Sequence, residues 1–216
     1  MEEQKTPFKE LNFSQKLQYI WDYYKIPIII VIVVIAVIVS FVREKAAQKN
    51  TVLSVLCVNS ITTDDSSDTS SLFDDFLTDN GYDTSSDEIS VNHNVYVNTA
   101  NNGVDYQNMA VLTAYFGAHE YNVCFMDDTT FDHYAQEETF CDLRDYLDDD
   151  TLARYQDNLV YTTAENGDKY PSGIRLTSAD NQFLSGSGLY DSCTFGICYG
   201  GSDTKLIQKL SGYILK

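Results

Sequence analysis

Thr51–Val58 reads TVLSVLCV, apolar throughout except for two small hydroxyl side chains. A strand with one wet face alternates apolar and polar residues, whereas a strand covered on both faces runs apolar without a break. This stretch therefore predicts a strand covered on both faces. Downstream, Asn59–Ser71 is rich in Ser, Thr and Asp, and its end can cap a helix bearing Leu72, Phe73, Phe76 and Leu77 on one face and stopping near Gly81. Ile89, Val91, His93, Val95 and Val97 then alternate with polar residues and Tyr96, the period of a strand. After Asn101-Asn102-Gly103, Asp105 could cap a second helix marked by Met109, Leu112 and Phe116, and VCFM at Val123–Met126 is a short buried strand. Asp127 and Asp128 cap a helical segment over Thr129–Glu138, and Leu143, Tyr146 and Leu147 suggest a further helical turn. The order β-α-β-α-β-α implies a parallel sheet with right-handed crossovers.

Further along, Leu159–Thr163 and Lys169–Leu176 flank Glu165-Asn166-Gly167-Asp168, and Asn-Gly is the strongest short hairpin signal. Thr194–Tyr199 (TFGICY) reads as another buried strand, and Leu206, Leu210, Tyr213 and Ile214 form the stripe of a closing helix.

Upstream, Ile26–Val42 reads IPIIIVIVVIAVIVSFV, 17 residues without a charge. As a helix it would cover ~25 Å, slightly short of the ~30 Å hydrocarbon core of a bilayer. Trp21, Tyr23 and Tyr24 sit where an interfacial aromatic belt would be, with Lys25 able to snorkel, so these four are expected to anchor a membrane interface. Arg43-Glu44-Lys45 follows where a cleaved signal peptide would show small residues, which favours an uncleaved signal anchor. Before it, Asn12–Gln15 resembles a capping box, and Phe13, Leu17, Ile20 and Tyr24 make one helical stripe. That stripe suits an extension of the anchor in the headgroup layer or a docking helix.

The formal charge of −18 is unevenly placed: residues 1–49 hold seven of the 14 Lys and Arg and five of the 32 acids, which leaves seven bases against 27 acids, net −20, in residues 50–216. No Lys or Arg lies between Lys49 and Arg144. Nucleic-acid binding through a basic face is thereby excluded, because phosphate contacts need clustered cations. Aromatic residues at 13% and hydrophobic residues at 44% still supply a core.

Tyr19-Ile20-Trp21-Asp22-Tyr23-Tyr24-Lys25 followed by Ile26-Pro27 resembles the juxtamembrane signature of single-pass membrane proteins from anaerobic Gram-positive bacteria. The segment from Tyr106 to Leu147 resembles extracellular solute-binding proteins of ABC importers, the type 2 periplasmic-binding fold. The matching residues are Phe116–Ala118, Asn122–Asp127, Phe131–Ala135 and Cys141-Asp142-Leu143, and Pro171–Leu176 with Phe195–Leu215 fit the returning part of a lobe. Asn122 stands where that pattern commonly has Asp. That family closes two lobes over a ligand and this chain has room for one, so the resemblance implies the fold of one lobe.

Other constellations carry less. The acids Asp64/Asp65/Asp68, Asp127/Asp128/Asp132 and Asp148/Asp149/Asp150 invite a calcium reading, but the nearest EF-hand register has Ala100 and Met109 at ligand positions. Solvated faces and helix caps account for them. His133 and Glu137 have the i, i+4 spacing of a zinc pair without a third ligand, and His93 reads as a core histidine. Among five cysteines, Cys57 and Cys124 lie inside strands, while Cys193 and Cys198 could close a disulfide. Gly186–Gly188 and Gly200-Gly201 lack the strand–GxGxxG–helix setting of a nucleotide site and read as loops. No G-x-S-x-G elbow occurs.

The sequence thus predicts an α/β protein: one N-terminal transmembrane helix followed by a single three-layer α/β lobe with a mostly parallel sheet. Its parts are a cytoplasmic tail with a juxtamembrane amphipathic helix (1–25), the transmembrane helix (26–42), a linker (43–50) and an extracytoplasmic α/β domain (51–216). The expected role is that of a non-catalytic, membrane-anchored binding or interaction module in the cell membrane, N-terminus cytoplasmic and C-terminal domain extracellular. Its partner would be another envelope protein, a peptide or a small solute, with no cofactor and no nucleic acid. The alternatives are a tethered solute-binding component of an ABC-type importer and, third, a hydrolase using the acids.

Overall fold

The computed structural model describes residues 21, 25–27, 29–40, 49–61, 69, 71–97, 106–200 and 203–216. The chain divides into two units, Met1–Lys49 and Asn50–Lys216. In the first, residues 29–40 form a helical run, α1, with every side chain exposed. At ~1.5 Å per residue, its length is ~18 Å against a ~30 Å hydrocarbon core. Among the described residues, no helix is long and apolar enough to cross a membrane. This corrects the transmembrane helix over 26–42, and with it the single-pass topology, the signal anchor and the placement of the two ends inside and outside a cell membrane. Of the interface anchors, Trp21 and Lys25 are exposed helical positions, while Tyr23 and Tyr24 lie outside the described residues. So do the Asn12–Gln15 capping box and Asp105.

The second unit is built on one sheet of six strands: β1 (Asn50–Val58), β2 (Asp87–Val95), β3 (Val123–Met126), β4 (Leu159–Thr163), β5 (Lys169–Thr177) and β6 (Ser192–Ile197). Their order across the sheet is β2-β1-β3-β6-β5-β4. β1 pairs in parallel with β2 and with β3, whereas β3–β6, β6–β5 and β5–β4 are antiparallel. The sheet is mixed, which corrects the mostly parallel sheet. The reason lies in the connections. β1, β2 and β3 are joined by helical crossovers that return the chain to the same end, as parallel pairing requires. β4 and β5 are joined by the tight turn Ala164–Asp168, where Gly167 donates to Ala164 O (2.8 Å) with φ 89, so they must run opposite ways.

The helices are α2 (Asp74–Asp79), α3 (Tyr106–Gly117), α4 (Asp128–Ala135), α5 (Asp149–Arg154), α6 (Gln182–Ser187) and α7 (Thr204–Ile214). Short side chains start several of them: Asp127, Asp148, Asn181 and Asp203 each accept from a backbone N–H three residues on. α2 begins after Phe73 without such a cap.

The twofold period of the strands divides the core. Leu53, Val55, Cys57, Val123, Phe125, Phe195 and Ile197 face one side and pack with α2, α6 and α7. Leu56, Val58, Cys124 and Met126 face the other and pack with Leu112 of α3 and Phe131 and Tyr134 of α4. Helices therefore cover both faces, and β1 has neighbours reached by crossovers on opposite sides of the sheet. The Phe131 ring, stacked on Phe140 with centroids 4.1 Å apart and planes 8° apart, lies on the bare backbone of Gly173 and Gly196, which are register partners on β5 and β6.

Candidate functional site

An open groove of about 450 Å³ lies between α6, the end of α7 and the Ser71-Leu72 segment just ahead of α2, within the range of ligand-binding concavities. Its position follows from one buried side chain. Asn181, 2% exposed, accepts from Leu184 N (2.7 Å) to start α6 and donates to Ile214 O (2.8 Å) near the end of α7. α6 is thereby tied to the end of α7, and Gly188, with φ 65, ends it in the left-handed conformation. The tie brings Phe183 beside Tyr213, ring centroids 6.1 Å apart and nearly perpendicular. Phe183 also stacks on Phe73 (5.3 Å) and Phe125 (5.8 Å), and Tyr213 meets Phe76 at 5.5 Å, so an aromatic layer forms the floor. Leu72, Gln182, Ser187 and Lys216 complete the wall. The Lys216 ammonium stands 5.6 Å from the Tyr213 ring centroid. Burial pushes the Tyr213 hydroxyl pKa up, and the carboxylates of Asp75 and Asp79 push it further in the same direction.

A second polar constellation occupies the ends of the parallel strands, between β1 and β3. Asn59, with φ 57, has its amide within 2.6 Å of Asp127 Oδ2 and 2.9 Å of Val97 O, and its Oδ1 accepts from Val97 N at 2.7 Å. The Tyr190 hydroxyl donates between Val58 O (2.7 Å) and Phe125 O (3.0 Å), and burial holds its pKa well above the usual phenol value. Beside them, Asp128 accepts from Thr194 Oγ1 (2.6 Å), and Arg175 reaches Asp132 Oδ2 (3.0 Å) and Asp128 Oδ2 (3.6 Å). These groups satisfy one another, and what they do chemically is lock the strand ends together.

The remaining sequence-predicted residues separate. Cys193 and Cys198 are both free thiols: they lie on opposite faces of the sheet, in different core clusters, so the bridge between them is not formed. All five cysteines are free and buried. Burial pushes the thiol of Cys57 up to about 12 and that of Cys141 up to about 11, and raises Cys193 and Cys124 as well. Such thiols stay protonated and unreactive at neutral pH. His133 lies on α4, but that helix ends at Ala135, so Glu137 leaves the helical register that the zinc spacing assumes. Among the described residues, no cluster of His, Cys, Asp and Glu could hold a metal ion. His93 is buried on β2, and His119 is exposed with Nδ1 3.1 Å from Tyr199 O.

The groove residues escaped the sequence reading. Gly186–Gly188 looks like a loop, yet 182–187 is helical; the signal was Asn181 as an N-cap ahead of Phe183-Leu184, with Gly188 closing the turn. Tyr213 belongs by spacing to the apolar stripe of its helix but is only half-buried, since it lies at the edge where the groove opens.

Comparison with family models, curated proteins and solved structures gives no match for this chain.

Proposed function

We propose that this chain is a non-catalytic binding or interaction module whose binding surface is the groove between α6, the end of α7 and the Ser71-Leu72 segment. The observation that carries this reading is the aromatic layer of Phe73, Phe183 and Tyr213 beneath an open concavity, held in place by the buried Asn181 tie. Half-buried aromatic rings supply contact area at low entropic cost, which is why they concentrate in the centres of interfaces. The buried thiols supply no nucleophile to the lining of the same groove.

The test is a titration of isotopically labelled full-length chain with a mixed-sequence peptide library, followed by NMR, with the library analysed afterwards by mass spectrometry. Shifts centred on Leu72, Phe183 and Tyr213 with an unchanged library support the reading. Cleaved or modified peptides, or shifts confined elsewhere, refute it.

A second reading, a solute-binding component of an ABC-type importer, draws on the topology. Open α/β sheets take ligands beyond the strand ends where the winding reverses, and here that place lies between β1 and β3. Thermal shifts with amino acids and sugars that vanish in Asn59→Ala would favour it over the groove.

A further inference from the structure

We propose that the occupant of the groove is a cationic, partly apolar peptide segment of a partner protein. A lysine or arginine of that segment would lie over the Tyr213 ring within reach of Asp75 and Asp79, and an adjoining aliphatic side chain would lie against Phe183 and Leu72. This rests on the reading of the groove as the binding surface and names the chemistry of what fills it.

Three observations converge on a cation. First, the ring already has one: Lys216 places its ammonium 5.6 Å from the Tyr213 centroid, inside the ~6 Å reach of a cation–π contact. Second, α2, which stands outside the groove lining but packs its Phe76 ring on Tyr213 at 5.5 Å, is acidic. α2 reads DDFLTD, with Asp75 and Asp79 exposed on it, and both carboxylates act on the Tyr213 hydroxyl. Third, no base counters these acids on that stretch of chain, since Lys and Arg are absent between Lys49 and Arg144, and residues 50–216 carry net −20. The summed field draws cations toward this unit and repels acidic segments. The apolar floor adds what a simple counterion would not need. A lysine or arginine stem packs along aromatic surface while its head remains at the carboxylates, so these acids and this floor fit an amphipathic side chain better than an inorganic ion.

Lys216 then has a definite role. It is a tethered competitor that holds the ring face until the partner's cation displaces it, and removing its charge favours the incoming segment. A groove built for acidic peptides would behave the opposite way, because Lys216 would be its anchor.

The experiment is calorimetric titration of the full-length chain, at ~150 mM salt so that exposed, distant charges are screened, with three end-blocked hexapeptides. Each alternates leucine with one other residue: lysine, glutamate or serine. The lysine peptide is expected to bind ~10-fold or more tighter than the serine peptide, with the glutamate peptide weakest. Tyr213→Leu keeps apolar bulk and removes the ring, and should weaken the lysine peptide ~3-fold. Asp75→Asn with Asp79→Asn, both exposed and so harmless to folding, should weaken it by a similar factor, whereas Lys216→Met should tighten it ~3-fold. Tighter binding of the glutamate peptide, or loss of binding in Lys216→Met, overturns the proposal. So does a lysine-peptide affinity that none of these substitutions alters, which would mean diffuse attraction to the acidic surface. If the lysine and serine peptides bind equally and both lose affinity in Tyr213→Leu, the cationic occupant is refuted while the binding groove stands. If no peptide binds, both fall.

Discussion

Gly173→Ala and Gly196→Ala test the packing of the α4 face of the sheet. A Cβ at Gly173 would stand 2.6 Å from Phe131 Cε1, closer still to its Cζ, and 3.0 Å from Thr194 Cγ2. At Gly196 it would stand 2.6 Å from Phe131 Cε2. Carbon atoms prefer ~3.5–4.0 Å, so relief needs the ring to retreat by about 1 Å. It has nowhere to go: Phe131 is fully buried and stacked on Phe140 at 4.1 Å, which is fully buried too. Overpacking of this kind costs ~1–3 kcal/mol, and at ~2–4 °C per kcal/mol for a domain of this size the expected fall in Tm is roughly 4–8 °C for a 2 kcal/mol loss. Scanning calorimetry and urea unfolding of the full chain measure it. Gly212→Ala is the control, since nothing lies within 4 Å of its Cβ on α7 and helix propensity favours Ala by ~1 kcal/mol. In a double-mutant cycle, Phe131→Leu makes room and should recover part of the Gly173→Ala loss as a coupling energy of ~1 kcal/mol or more. A Gly173→Ala protein as stable as the parent, or a cycle with no coupling, refutes the ring-on-glycine account.

Asn181→Ala removes an N-cap and leaves the buried Ile214 carbonyl without its donor, so it should cost ~2–4 kcal/mol in urea unfolding; Asn181→Asp, which can still cap but sets a buried carboxylate oxygen against the Ile214 carbonyl, should not recover that loss. Tyr190→Phe strips the donor from Val58 O and Phe125 O at the strand ends and should cost ~1–3 kcal/mol, with the loss seen as faster amide exchange at the ends of β1 and β3. Stability should also fall in alkali. Cys57 and Cys141 have folded pKa values of about 12 and about 11 against an ordinary 9.0, so above pH 9 the unfolded chain releases these protons while the folded chain keeps them. Their stabilising effect is complete below pH 9.0 and is lost as pH rises toward those folded values, at ~1.4 kcal/mol per pH unit for the fully buried Cys57 and by less for Cys141, where solvent screens the effect. Denaturation midpoints in urea between pH 8 and 11, compared with Cys57→Ala, check this; a flat profile refutes it.

Strand and helix positions were legible where a period could be read against a boundary. TVLSVLCV became a strand paired on both sides and covered on both faces, Asn166-Gly167 closed a hairpin, and Leu206, Leu210 and Ile214 form the buried stripe of α7. Direction was not legible, because a strand's apolar pattern states which faces are covered and is the same read up or down. β6 carries the buried pattern of a parallel strand, and only its entry from α6, after the hairpin, sets it antiparallel to β3. The 26–42 segment shows a different limit: composition identified an apolar helix, but the described helical run is too short to cross a bilayer. The groove was hidden because its residues had ordinary explanations. Phe183 sat in a Gly/Ser segment, and Tyr213 neighboured a core position on its helix; only the Asn181 tie, across 33 residues of sequence, brings them together.

The two candidate regions differ in what their polar groups still offer. At the reversal between β1 and β3, where open α/β sheets ordinarily hold ligands, the Asn59 amide is committed to Asp127 and Val97, and the Tyr190 hydroxyl caps the carbonyls of two strands. A ligand there would have to break bonds whose loss costs ~1–3 kcal/mol for each buried group left unmet. In the groove beside α6 and α7, the balance is reversed. The aromatic floor is already ordered by stacking on buried Phe73 and Phe125, Asp75 and Asp79 are exposed, and the cation in the groove lining, Lys216, belongs to a side chain long enough to swing aside, while Lys205 and Lys209 of α7 lie outside that lining. Binding there adds contacts without dismantling any that the fold depends on. The fold thus uses its strand-end crevice for its own stability, and a segment docking on the proposed helix-face groove would meet the smaller opposing cost.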